Sequence, residues 1–73
     1  MKQFEFRLSL SADTCLDYYR GAARQVLARC LDGTTVQFPA ALLQPFITTG
    51  GVHGLFRLVC DEQHRNPELR RLA

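Results

Sequence analysis

A chain of 73 residues has room for one domain at most, and a domain near this size buries only about 60% of the surface its unfolded chain exposes, so its large apolar residues belong to the core. The composition, 47% hydrophobic and 22% charged, excludes disordered, collagen-like and coiled-coil classes. A net charge of +2 from nine basic and seven acidic residues permits a nucleic-acid partner without requiring one.

From Lys2 to Ser11 apolar and polar residues alternate, with Phe4, Phe6, Leu8 and Leu10 on one side and Gln3, Glu5, Arg7 and Ser9 on the other. That pattern predicts a half-buried strand. It also differs from a secretory signal, which needs an unbroken apolar run, so a cytoplasmic location is expected. Ser11 offers an N-cap hydroxyl, Asp13 puts negative charge in a first turn, and Gly21 supplies a left-handed stop, which together predict a short helix over residues 12 to 20. Cys15, Leu16 and Tyr19 form its expected apolar stripe, with Tyr18 at the edge.

Residues 22 to 38 read as a hairpin around Asp32-Gly33. A two-residue Asp-Gly turn would place Arg29 on the face of Val36 and Phe38 and bury a charge. A three-residue loop, Leu31-Asp32-Gly33, with Gly33 in the left-handed position of a bulge, pairs Cys30 with Thr34 instead. Val26, Ala28 and Cys30 then share the inner face with Val36 and Phe38, while Gln25, Leu27, Arg29, Thr35 and Gln37 point outward. Pro39 opens and Pro45 closes an expected single helical turn over residues 40 to 44, with Leu42, Leu43, Phe46 and Ile47 capping the core.

Thr48 to Gly51 read as a glycine turn. Val52, Phe56, Leu58 and Cys60 then alternate with His53, Leu55, Arg57 and Val59, which predicts a strand with an unusually apolar outer face and a bend or bulge at Gly54. After a polar turn from Asp61 to Asn66, residues 67 to 73 fit either an edge strand or a helix opened by Asn66 and Pro67, and the strand is the reading taken. The uncharged stretch from Phe38 to Leu55 is broken by prolines, glycines and polar residues, so no membrane-spanning helix is expected. The sum is a mainly β (α+β) domain: a small five-strand meander or partly open SH3-like barrel with one short helix, residues 1 to 73 forming one unit.

The segments Tyr18-Tyr19-Arg20-Gly21-Ala22-Ala23-Arg24, Val36-Gln37-Phe38-Pro39-Ala40 and Gly51-Val52-His53-Gly54-Leu55-Phe56 resemble a small bacterial family catalogued as a domain of unknown function. The likeness runs from about Phe4 to Leu72. It implies a free-standing cytoplasmic domain and brings no activity, cofactor or catalytic residue with it.

Arg20 and Arg24 have the R-x-x-x-R spacing with which PilZ domains hold cyclic dinucleotide phosphates, but the D/N-x-S-x-x-G turn of those domains is missing. Tyr18, Arg20, Arg24, Arg29 and Arg57, with Tyr19 and His53 nearby in pattern, form a candidate surface for single-stranded RNA or DNA, where rings stack on bases and guanidinium groups hold phosphates. Leu27, Leu55 and Val59 fall on expected outer faces and form a candidate protein-contact or homodimer surface. Cys15, Cys30 and Cys60 are odd in number, widely spaced and without a C-x-x-C pair, so they read as reduced core residues, with no metal and no cofactor expected. His53 and His64 are the only imidazoles and neither sits in a nucleophile motif, so no enzyme activity is expected. The reading that follows is a binding or adaptor module, with protein contact ahead of nucleic acid.

Overall fold

A computed structural model describes residues 1–21 and 24–73. In chain order it contains β1 (Lys2–Leu10), α1 (Ala12–Tyr19), β2 (Gln25–Arg29), β3 (Thr35–Pro39), a 3-10 helix (Ala40–Phe46), β4 (Val52–Cys60) and β5 (Glu68–Arg71). The protein is mainly β, with five strands and one short α-helix as the sequence predicts, arranged as two antiparallel sheets that do not close into a barrel. One sheet has the order β1-β4-β5 and the other is the β2-β3 hairpin.

The first strand therefore pairs with the fourth, not the second. The nine rungs run from Lys2 opposite Cys60 to Leu10 opposite Val52. The backbones of the two sheets are joined by a bridge between Phe6 and Cys30, reinforced by the Leu31 amide, which donates to the Glu5 carbonyl at 2.9 Å.

The hairpin has the three-residue register. Val26 faces Phe38 and Ala28 faces Val36, the Cys30 amide donates to the Thr34 carbonyl at 2.7 Å, and the Gly33 amide closes the loop on the Cys30 carbonyl. Gly33 has φ +91°, open to glycine at little cost. The first two residues of the expected 22–38 span, Ala22 and Ala23, lie outside the described residues.

Ser11 caps α1, its hydroxyl accepting from the Thr14 amide at 3.2 Å, and Gly21 ends it at φ +79°. The face of the helix differs from expectation. Cys15 is buried and Tyr18 packs on the core, whereas Leu16 and Tyr19 are exposed at 44% and 68%. The two stripes, Cys15 with Tyr18 and Leu16 with Tyr19, have the same helical spacing and similar hydropathy, so the way the capped chain leaves β1 decides which one turns inward.

The 3-10 helix also runs further than expected, through Pro45 to Phe46. Pro45 follows Gln44 in the last turn, which the Ile47 amide closes onto the Gln44 carbonyl at 3.3 Å. At that position the proline φ is suitable and no donor is required. The core gathers Phe6, Phe38, Phe56, Leu43, Val26, Val52 and Cys15. Phe6 stacks on Phe38 with centroids 5.5 Å apart, and Phe46 meets Phe56 edge to face at 5.3 Å.

Candidate functional site

The basic residues singled out from the sequence are divided among three places. Tyr18, Tyr19 and Arg24 line a shallow cleft with Gly21, Pro39, Ala40, Ala41 and Gln44 at the C-terminal end of α1. Arg20, the C-cap of the helix, is exposed beside them. Arg29 stands at the far end of β2, about 16 Å of extended chain beyond Arg24, on the outer face of the hairpin. Arg57 lies on the outer face of the three-stranded sheet, where its guanidinium donates to the Glu5 carboxylate across the β1-β4 rung at 2.6 and 3.0 Å. Tyr18 is half-buried and presents less ring than Tyr19. The five-residue nucleic-acid set is thus reduced to a cluster at one end of the helix.

The apolar set divides too. Leu27 is 71% exposed on the outer face of β2, opposite Gln37. Leu55 is half-buried on β4 beside Leu72, whose amide donates to the Leu55 carbonyl at 2.8 Å. Val59 is not a surface residue: it is only 7% exposed. β4 is the central strand, and Val59 sits between Gln3 on β1 and Glu68 on β5, in a concavity also lined by Met1 and Arg70. The stems of such long polar side chains cover apolar surface. A joint contact surface needs the second and fourth strands to bring Leu27 and Leu55 side by side, but β2 and β4 lie in different sheets, with β1 bridging to the hairpin at Phe6–Cys30, so the two residues stand apart.

In place of one patch, the outer face of the hairpin is bare. Gln25, Leu27, Arg29, Thr35 and Gln37 are all exposed, and Leu31 in the loop adds a second leucine at 60% exposure. The loop is held by Asp32, whose Oδ1 accepts from the Thr34 hydroxyl at 2.6 Å and the Thr34 amide at 3.0 Å. These bonds, the hydroxyl's first, hold the Asp32 carboxyl below the usual carboxylate range.

The other titratable candidates are engaged locally. His53 is exposed; its Nε2 donates to the Gly50 carbonyl at 2.8 Å, which leaves Nδ1 to accept from the Ser9 hydroxyl at 3.2 Å. His64 accepts from Lys2 Nζ at 2.9 Å and lies beside the Phe4 ring. Cys15, Cys30 and Cys60 are buried, free thiols, and the chain does not bring them together with His53; among the described residues no three His, Cys, Asp or Glu side chains form a ligand cluster. Among the described residues no helix is long and apolar enough to cross a membrane.

Sequence reasoning missed Arg71. Its Nη2 donates to the His53 carbonyl at 2.9 Å, its Nε to the Ala73 carbonyl at 3.3 Å, and the guanidinium lies 5.9 Å from the Phe56 ring centroid. It ties the C-terminal segment to β4 beside Gly54, which has φ +148° within the continuous strand. The signal available was a glycine inside a strand pattern followed by a basic C-terminal segment.

Fold and surface together define a small antiparallel β domain of two sheets with a helix across one end. Over residues 2–72 the chain matches the model of a protein family described as a protein of unknown function, DUF2835, and it belongs to that family. No curated protein and no solved structure matches the chain.

Proposed function

We propose that the chain is a non-enzymatic binding module of the cytoplasm that works through protein contact, and that the outer face of the β2-β3 hairpin is its docking surface. The observation that carries this reading is the exposure of Leu27 on the outer face of the hairpin, where among the described residues it pairs only with polar neighbours, with Leu31 exposed in the loop at its end. Around them stand amides, a hydroxyl and Arg29, a polar rim about an apolar centre, which is the usual anatomy of a contact surface. The partner such a face selects has an apolar side chain to lay on Leu27 and an acceptor or carboxylate within reach of Arg29. A photoreactive benzophenone amino acid in place of Leu27 should trap that protein in cells, and the same group in place of Gln63 in the exposed β4-β5 turn should not. Equal labelling at the two positions, or none at Leu27 and Leu31, would sink the reading.

A second reading rests on a different observation, the meeting of Tyr18, Tyr19 and Arg24 in one cleft with Arg20 beside it. An exposed ring next to guanidinium groups suits a stacked base and its phosphates in single-stranded RNA or DNA. Titration with mixed oligonucleotides at low salt would then move the amides of Tyr19 to Gly21 and Arg24, with an affinity that falls as salt rises. A flat titration eliminates it.

A further inference from the structure

We propose that the open edge of β5 recognises itself: β5 of a second copy of this chain pairs with it antiparallel, joining two three-stranded sheets into one of six. This uses main-chain groups of the sheet that the preceding reading leaves aside, so the two readings fail separately.

β5 has β4 on one side and no strand on the other. The Leu72 amide donates to the Leu55 carbonyl at 2.8 Å, and along an antiparallel ladder bonded pairs alternate with unbonded ones. Followed along the register, this turns the amides and carbonyls of Glu68 and Arg70 to β4 and those of Leu69 and Arg71 to the open edge. Among the described residues no other backbone group bonds to them there. A two-fold axis normal to a sheet keeps every side chain on its own face, so a residue, never the gap between two, must lie at its centre. Glu68, Arg70 or Arg71 as centre would set that charge directly against its own copy. Leu69 alone avoids this, and it places Glu68 of each copy opposite Arg70 of the other, twice over. Like charges then fall only on the diagonals, about 7–8 Å apart.

The main chain and the neighbouring surface fit the same register. The two Leu69 residues exchange their amide and carbonyl bonds, and the Arg71 amide of each copy meets the Pro67 carbonyl of the other, a position where proline's missing donor is not called on. Arg70 stands opposite Arg57 within its own sheet, and the second copy's Glu68 brings the opposite charge to its free side. Leu72, 40% exposed, falls opposite Asn66 of the other copy, at the rim of a concavity of about 390 Å³ that Val59, Glu68 and Arg70 also line. Two strands of four residues make a contact below standard interface size, so the dimer is weak, with a dissociation constant on the order of 0.1 mM.

Sedimentation equilibrium over about 10 µM to 1 mM brackets that constant. The wild-type chain should associate, and hydrogen exchange at the Leu69 amide should slow as concentration rises. The substitutions Glu68→Arg and Arg70→Glu each turn two attractive contacts into repulsive ones and should each weaken association about tenfold. Both side chains are more than half exposed, at 63% and 59%, so losing their pair within the strand leaves the fold intact. An equimolar mixture of the two variants restores both contacts in a heterodimer and should return to within about threefold of wild type. One chain carrying both substitutions exchanges the charges and should associate as wild type does. A monomeric wild type at the highest concentration overturns the proposal, as does association with the Leu69 amide left unprotected or with shifts confined to β2 and β3. Association that the single variants leave unchanged, or that neither the mixture nor the double variant recovers, overturns it as well. Leu27→Asp, which leaves β5 untouched, should have no effect on this equilibrium while abolishing the crosslink proposed for the hairpin face.

Discussion

Gly51 is buried where β4 begins, at φ +99°, and a Cβ built there would stand 2.0 Å from the Leu10 carbonyl oxygen. Backbone on both sides leaves nothing flexible to yield. Gly51→Ala should therefore cost about 3 kcal/mol or more, combining left-handed strain with the clash, and urea unfolding measures it; a loss below about 1 kcal/mol would mean that the Thr48–Gly51 turn rearranges freely. Asp32 is a milder case with a pH signature. Its folded-state pKa lies below its unfolded one, so the stabilisation it supplies is present above the unfolded value and disappears as pH falls through the folded value. Asp32→Ala should be less stable than wild type at neutral pH, and the gap should close on acidification below the carboxylate range. A gap that persists in acid would show that the Thr34 contacts do not depend on the carboxylate charge.

The hairpin was legible in the sequence because one residue decided it: with Gly33 in the left-handed region, the pleat aligns Val26, Ala28 and Cys30 with Val36 and Phe38, and the alternative register buries Arg29. The face of α1 was not legible, since Leu16 with Tyr19 and Cys15 with Tyr18 are equivalent stripes until the direction of entry from β1 is fixed. The joint between the sheets depends on Phe6, which is fully buried, bridges to Cys30 and stacks on Phe38. Phe6→Ala removes the ring and leaves a cavity, at about 3 to 5 kcal/mol. That is a large share of the total stability of a chain this short, roughly 4 to 11 kcal/mol at typical values per residue. The variant should show a lost or strongly lowered thermal transition by far-UV circular dichroism, while Leu42→Ala at the half-buried 3-10 helix should keep a cooperative one.

At the scale of the whole molecule, strand partners were the part that alternation alone does not encode. Every strand offers an apolar side to any other; the clue was length, because β1 and β4 are both nine residues long and pair over their full extent, while the remaining strands have four or five. That pairing inserts β1 between β2 and β4, buries Val59 in the central strand and leaves Leu27 alone with Leu31 on the hairpin. The same topology separates what holds the fold from what meets a partner. All outward positions of the hairpin are exposed, so Leu27→Asp takes no apolar area out of the core and should shift the unfolding free energy by no more than about 0.5 kcal/mol. If the hairpin face is a docking surface, the same substitution desolvates a carboxylate at the centre of the contact and should abolish partner capture. Gln37→Glu, directly across the ladder from Leu27, puts a negative charge beside the same centre and should weaken capture by a smaller factor. Equal stability with capture unchanged in Leu27→Asp would move the functional surface of this protein off the hairpin and onto the helix end.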